Sequence, residues 1–113
     1  MEKLSTNLSG VSGEYFVAAE LSRRGFITSV TLKNAKGIDI LITDEKAQVF
    51  IGIQVKTNQK TRKAWVLTEK SEKFHGDNLF YVFVNLNKFG VLPDFYVVPS
   101  IIVSNQIKDS HQN

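Results

Sequence analysis

Two segments in the middle of the chain, residues 37–44 and 48–57, place an apolar side chain at every second position. A period of two is typical of a β-strand whose faces meet different surroundings. The residues between the segments are few and polar, which predicts an antiparallel hairpin. The hairpin would carry one fully apolar face, made of Ile38, Ile40 and Ile42 on the first strand and Val49, Ile51 and Ile53 on the second.

The register of these two strands is limited by the need to place both apolar rows on one face. The first row has even residue numbers and the second has odd ones, so the two numbers of each pair across the hairpin must add up to an odd sum. A shift by one residue would turn every side chain of a strand to the other face. A tight turn at residues 45–46 meets this requirement and predicts Ile40 opposite Ile51. Gln54 then lies diagonally across from Asp39 on the second face, within reach of a shared small ligand.

Helical and strand patterns flank the hairpin on both sides. A helix is predicted over residues 9–24, with Gly25 as the glycine that ends it. The remaining elements are strands at 26–32, 79–86 and 95–98, a short helix up to about His75, and a last helix from Ser100. The order α-β-β-β-α-β-β-α predicts an α/β (α+β) fold with a central mixed sheet flanked by helices. Residues 1–8 and 109–113 are predicted to be flexible ends.

The composition limits the class of protein. The chain has 113 residues, which suits a single domain, and 42% hydrophobic residues, which suffices for a core. It has no cysteine, which excludes disulfides, zinc–thiolate sites and a cysteine nucleophile. No apolar run approaches the roughly 20 residues of a membrane span, and the first residues lack the apolar core of a signal peptide. We therefore expect a soluble, cytoplasmic protein.

Four polar residues stand where a purely structural core would not place them: Glu14, Asp39, Gln54 and Lys56. Gln54 and Lys56 are two positions apart on one strand and so share a face, which Asp39 joins from the neighbouring strand. Glu14 lies on the apolar stripe of the first helix, the stripe expected to pack on the sheet. Two carboxylates and an amide carbonyl are oxygen ligands of the kind that Mg²⁺ accepts. The sequence therefore predicts a cation site with a lysine beside it.

The segment Gly37-Ile38-Asp39-Ile40-Leu41, followed after a hairpin by Ile53-Gln54-Val55-Lys56-Thr57, resembles the PD-(D/E)XK nuclease superfamily. The variant it resembles has glutamine at the usual acidic position of the third motif. The start of the helix at Gly13-Glu14, Trp65 after a basic loop, and the strand at 79–86 are also similar to small prokaryotic members. The resemblance covers residues 9–100 and implies a restriction-endonuclease-like core.

The resemblance further implies a metal-dependent endonuclease that hydrolyses DNA phosphodiester bonds. Asp39 would be the central ligand of Mg²⁺, with Mn²⁺ as a possible substitute, and Gln54 would bind through its carbonyl oxygen. Glu14 matches the helix acid that many members add to the metal site. Lys56 would position or activate the attacking water. Gln54 departs from the acidic pattern, and its lack of charge should weaken cation binding.

Positive charge continues beyond the predicted site at Lys60, Arg62 and Lys63. This run is placed as a clamp on the DNA backbone would be, because phosphate contacts are made by lysine and arginine. The alternative is a solvated basic loop. The net charge of +3 alone does not indicate a nucleic-acid partner.

Each candidate residue also has a structural interpretation. Glu14 can be a partly exposed residue that balances the helix dipole, and Glu20 is a rival carboxylate on the same helix. Asp39 can be a strand-start carboxylate at a solvated loop end, and Gln54 and Lys56 can lie on the exposed face of an edge strand. Trp65 is more often a core residue than a base-stacking one, and His75 is more often a surface residue than a general base.

Two other functions remain open at this point. The first is a catalytically weak or inactive nuclease-fold module that binds nucleic acid or a partner protein. The second is a small interaction module with no nucleic-acid role. The short chain also makes a homodimer or a larger complex attractive, since a symmetric pair would place two sites on one duplex.

Overall fold

A computed structural model of the chain describes residues 3–31, 37–59, 65, 67 and 70–111. Three helices and five strands lie within these residues, in the predicted order. The elements are α1 (Thr6–Arg23), β1 (Ile27–Val30), β2 (Ile40–Thr43), β3 (Phe50–Asn58), α2 (Lys70–Lys73), β4 (Leu79–Asn85), β5 (Asp94–Pro99) and α3 (Ser100–His111). Both predicted flexible ends therefore overlap the outer turns of a helix. No helix in the described part of the chain is both long and apolar enough to cross a membrane.

Helix α1 begins three residues before the predicted start, because Ser5 caps it. The Ser5 hydroxyl accepts a hydrogen bond from the backbone nitrogen of Leu8 at 3.2 Å, which satisfies one of the free N–H groups of the first turn. At the other end, Gly25 has a φ of +101°, and the nitrogen of Phe26 donates to the carbonyl of Leu21 at 3.1 Å. This is the glycine-terminated helix end that the sequence predicts.

The five strands form one mixed sheet in the order β1-β2-β3-β4-β5. β3 and β4 run parallel, and the other three pairs are antiparallel. The carboxyl ends of β3 and β4 therefore meet at the same edge of the sheet. This arrangement confirms the predicted fold class.

In the hairpin of β2 and β3 the numbers of paired residues add up to an odd sum, as predicted, but the register differs from the predicted one. Ile40 pairs with Ile53, two residues beyond the predicted partner Ile51. The buried side chains of Ile40 and Ile53 still share one face, as the apolar rows require. The prediction of a tight turn at 45–46 was therefore wrong, while the assignment of faces was right.

The longer turn has a local cause in the carboxylate of Asp44. Its Oδ1 accepts hydrogen bonds from the backbone nitrogens of Gln48 at 2.7 Å and Val49 at 3.1 Å. Ala47 lies in the left-handed region with a φ of +54°. A side chain that bonds the backbone several residues later holds a loop of residues 44–49 in place of a two-residue turn.

Two clusters of buried side chains lie on the two faces of the sheet. The α1 face carries Val17 of the helix together with Ile40, Ile42, Ile53, Val82 and Val84. The α3 face carries Tyr81 and Phe83 of β4 with Val103 of α3, and Trp65 packs against this cluster. The Trp65 indole donates to the carbonyl of Val84 at 3.1 Å, and its ring centroid lies 5.1 Å from that of Phe83. The structural interpretation of Trp65 is thereby confirmed.

Candidate functional site

Asp39 lies just before β2, where the pairing of this strand with β3 ends. The last pair at this end of the hairpin is Ile40 with Ile53. The backbone nitrogen of Asp39 donates to the carbonyl of the same Ile53 at 2.8 Å, so the regular ladder does not continue to Asp39 and Gln54. The Asp39 side chain instead meets β3 at Val55, the residue between Gln54 and Lys56.

The Asp39 carboxylate is half-buried and fixed to the backbone of β3. Its Oδ2 accepts a hydrogen bond from the nitrogen of Val55 at 2.7 Å. Burial raises the pKa of Asp39 above its usual value, while the Val55 hydrogen bond and the positive charge of Lys56 lower it. The net pKa is raised, so this site holds a carboxylate that would gain from a neighbouring cation.

Gln54 supplies an oxygen that lacks a partner. Its Oε1 is buried and accepts no hydrogen bond from any described residue. A buried carbonyl oxygen is stable only when something donates to it or coordinates it. Beside the Asp39 carboxylate, such an oxygen suits a divalent cation, because Mg²⁺ and Ca²⁺ bind carboxylate and amide oxygens. The donor set therefore fits the predicted ion.

Lys56 shares a face with Gln54, as predicted from their spacing. Gln54 pairs with Tyr81 and Lys56 with Phe83, so both belong to the α3 face of the sheet. Helix α3 packs on β4 and β5, whereas Phe50, at the start of β3 on this face, is 61% exposed. This face is therefore open at the start of β3, whereas Gln54 and Lys56 are half-buried.

Glu14 approaches from the other side of the sheet. Its neighbour Gly13 is buried against Thr57, which belongs to the α1 face because it alternates with Lys56. Glu14 is half-buried on the helix that covers this face. The structure thus brings Gln54 and Lys56 to one face, holds the Asp39 carboxylate at the backbone of Val55 between them, and sets Glu14 on an element packed on the opposite face.

The rival carboxylate on α1 is already paired. Glu20 bonds Arg23 and Arg24 at 2.9 and 2.8 Å, and these hydrogen bonds lower its pKa. Among the described residues, no group of three or more His, Cys, Asp or Glu side chains lies close enough to hold a metal. A cation site in this part of the chain therefore depends on the Gln54 amide in addition to carboxylates.

The predicted DNA clamp, Lys60, Arg62 and Lys63, lies outside the described residues. His75 is exposed, and His111 ends α3. A feature that the sequence did not indicate is a cleft of about 1560 Å³ beside Lys56. Its walls come from α1, the end of β3 and residues 86–93, which are too far apart in sequence to form a motif. The only local signal is the turn Lys88-Phe89-Gly90, with an aromatic residue among turn formers.

A comparison of the folded chain with solved structures found a bacterial homing endonuclease, I-Ssp6803I. The match has a TM-score of 0.61 and 18% sequence identity, and it covers 88% of this chain and 69% of the endonuclease. No protein-family model matches the sequence, and no curated protein matches it either. At this identity the likeness concerns the fold: the chain has a nuclease-like α+β fold.

Proposed function

We propose that this protein is a metal-dependent endonuclease that hydrolyses DNA phosphodiester bonds, built as a PD-(D/E)XK nuclease with glutamine in the third motif. The observation that carries the proposal is the juxtaposition of a desolvated carboxylate, fixed at the Val55 nitrogen, with the unpartnered amide oxygen of Gln54 and the lysine at 56, the residues on either side of Val55. Perturbed carboxylates next to unsatisfied polar atoms are typical of functional sites. The likeness to a homing endonuclease supports DNA as the substrate.

Each residue of the site has a role in this proposal. Asp39 and Gln54 would hold Mg²⁺ or Mn²⁺, and Glu14 would add a carboxylate from the α1 side. The bound ion supplies Lewis-acid stabilisation of the charged phosphate. Lys56 positions the attacking water and stabilises negative charge on the phosphate. Water adds to phosphorus, the P–O ester bond breaks, and the leaving oxygen takes up a proton.

DNA would be held at the site by the positive charges that follow Lys56. Lys60, Arg62 and Lys63 follow Lys56 in the sequence, and we propose that they contact the DNA backbone. A homodimer would place two such sites on the two strands of one duplex.

Cleavage of supercoiled plasmid in Mg²⁺ or Mn²⁺ tests the proposal. We expect Asp39→Asn and Lys56→Ala to lower the rate at least about 100-fold, the usual loss when a preorganised charged group is removed. Asp77→Asn and Lys46→Ala are matched controls, since both residues are exposed and lie outside the site. No cleavage by the unchanged protein in either metal, or equal rates in Asp39→Asn and its control, would contradict catalysis by this site.

A catalytically weak or inactive module that binds nucleic acid is a second candidate function. The observation in its favour is the neutral side chain of Gln54 in a region with few clustered acids. Hard cations gain affinity with ligand charge. Calorimetry separates the two functions: no heat with Mg²⁺ for the unchanged protein, and binding restored by Gln54→Glu, would favour the inactive module.

A further inference from the structure

The cleft beside Lys56 is too large for a typical small-molecule site. Its volume is about 1560 Å³, whereas ligand pockets usually measure roughly 300–1000 Å³. One wall is the N-terminal half of α1, the floor is the carboxyl end of β3, and the other wall is the turn of residues 86–93. A space of this size and shape suits a length of polymer.

The charge of the cleft has one sign. Lys3, Lys56 and Lys88 line it, and its described lining contains no aspartate or glutamate. Gln59 holds the N-terminal segment at the cleft through two hydrogen bonds: its Oε1 accepts from the nitrogen of Leu4 at 2.9 Å, and its Nε2 donates to the Leu4 carbonyl at 2.8 Å. This clamp keeps Lys3 beside the end of β3. An anionic ligand is the complement of such a surface.

The turn that forms the second wall is held in shape by Asn87. Its Nδ2 donates to the carbonyl of Leu92 at 2.9 Å and to Oδ2 of Asp94 at 3.2 Å. Positive φ angles at Asn87 and Gly90 complete the turn. At its tip, Phe89 is 83% exposed although it lines the cleft. An ordered turn that presents a phenyl ring to solvent beside three lysines has the two components of a nucleic-acid strand site.

We propose that this cleft binds the DNA strand next to the cleaved phosphodiester, and that Phe89 stacks on a base there. Lys3 and Lys88 contact the phosphates of that strand. Stacking on an aromatic ring tolerates any base, so the contact adds affinity without sequence preference. The inference rests on the proposed nuclease function, because Lys56 belongs both to the catalytic face and to the cleft.

Photo-crosslinking to DNA that carries 5-iodo-2′-deoxyuridine tests the stacking directly. The reaction is run in EDTA, so that cleavage does not compete, and the crosslinked peptide is identified by mass spectrometry. We expect a crosslink at Phe89. Phe89→Ala should also weaken DNA binding about 5- to 100-fold, whereas Tyr15→Ala, which removes a similarly exposed ring that does not line the cleft, should leave it unchanged.

Salt titration tests the lysines. Lys3→Ala and Lys88→Ala should each reduce the slope of log binding constant against log salt by about 0.7–0.9, while Lys46→Ala should not. One outcome overturns the proposal for the cleft and leaves the proposed nuclease function standing. In that outcome plasmid cleavage depends on Asp39, but crosslinks form only outside residues 86–93 and the salt slopes of the lysine variants are unchanged. A change in the sedimentation of Phe89→Ala without a change in DNA affinity would indicate that the turn mediates self-association. That result also overturns the proposal for the cleft. Absence of DNA binding at low salt overturns both proposals.

Discussion

Replacing Gly13 by alanine tests how α1 sits on the sheet. A Cβ atom at Gly13 would lie 2.0 Å from Oγ1 and 3.0 Å from Cβ of Thr57. Rotation of the threonine about χ1 does not relieve the whole contact, because it leaves Cβ of Thr57 in place at 3.0 Å. Contact at ordinary distances of about 3.5 Å therefore requires the helix to move off β3 by roughly 1 Å.

The size of the effect follows from two opposing terms. In the interior of a helix, alanine is favoured over glycine by about 0.5–1 kcal/mol. Overpacking a close contact costs about 1–3 kcal/mol, and a backbone shift belongs at the upper end of that range. We expect Gly13→Ala to lower the free energy of unfolding by about 2 kcal/mol, which lowers Tm by about 8 °C in a domain of this size.

Thermal unfolding followed by circular dichroism measures the change, and α1 contains its own control. A Cβ at Gly10 meets no atom within 4 Å, so Gly10→Ala should raise Tm by about 2–4 °C through helix propensity alone. Thr57→Ala removes the closest atom, and its Oγ1 is buried without a partner among the described residues. In that background the cost of Gly13→Ala should shrink. Stabilisation of Gly13→Ala to the level of Gly10→Ala would refute the packing of α1 on β3.

Two further predictions concern the candidate site. Burial raises the pKa of Asp39, so its ionised form opposes folding at neutral pH. Asp39→Asn should therefore raise the free energy of unfolding at pH 7 by about 1 kcal/mol. This gain should vanish as the pH falls below 3.8, because Asp39 is then protonated in both the folded and the unfolded state. Thermal unfolding at a series of pH values measures this, and an equal gain at all pH values would argue against charge burial. Gln54→Glu should lower Tm without Mg²⁺, because it sets a second carboxylate beside Asp39. Addition of Mg²⁺ should then stabilise this variant more than the unchanged protein, with a gain in the free energy of unfolding of up to about 2.7 kcal/mol at 100 times Kd. An Mg²⁺ response no larger than that of the unchanged protein would contradict a cation at this position.

The order of elements and the faces of the hairpin were predictable because they depend on local pattern. Alternation with a period of two assigned Ile40 and Ile53 to the buried face whatever the turn length. For the same reason Gln54 and Lys56 were assigned to one face. Gly25 at a positive φ was predictable, because few other residues adopt that conformation after a helix.

The register of the hairpin was not predictable in this way. It depends on the hydrogen bonds from Gln48 and Val49 to the Asp44 carboxylate, and a period of two is satisfied equally by registers that differ by two residues. The start of α1 was predicted too late, since Gly10 and Ser9 weaken the helical pattern although Ser5 caps it.

The placement of Glu14 and the cleft depends on tertiary structure. The sequence indicates an apolar stripe on α1 but not which face of the sheet the helix covers, and the Gly13–Thr57 contact decides that. The cleft joins the first residues of the chain, the end of β3 and the turn around Phe89. No local pattern connects segments so distant in sequence.

Mn²⁺ titration followed by amide NMR spectra tests the central claim most directly, because the paramagnetic ion broadens the signals of nearby amides whether or not the protein is active. A cation held by Asp39 and Gln54 predicts early broadening at the amides of Asp39 and Val55, and loss of this broadening in Asp39→Asn. The amides of Gln48 and Val49, which donate to the Asp44 carboxylate, provide the internal comparison. Broadening confined to the Asp44 turn, or unchanged in Asp39→Asn, would contradict a metal site at Asp39 and Gln54.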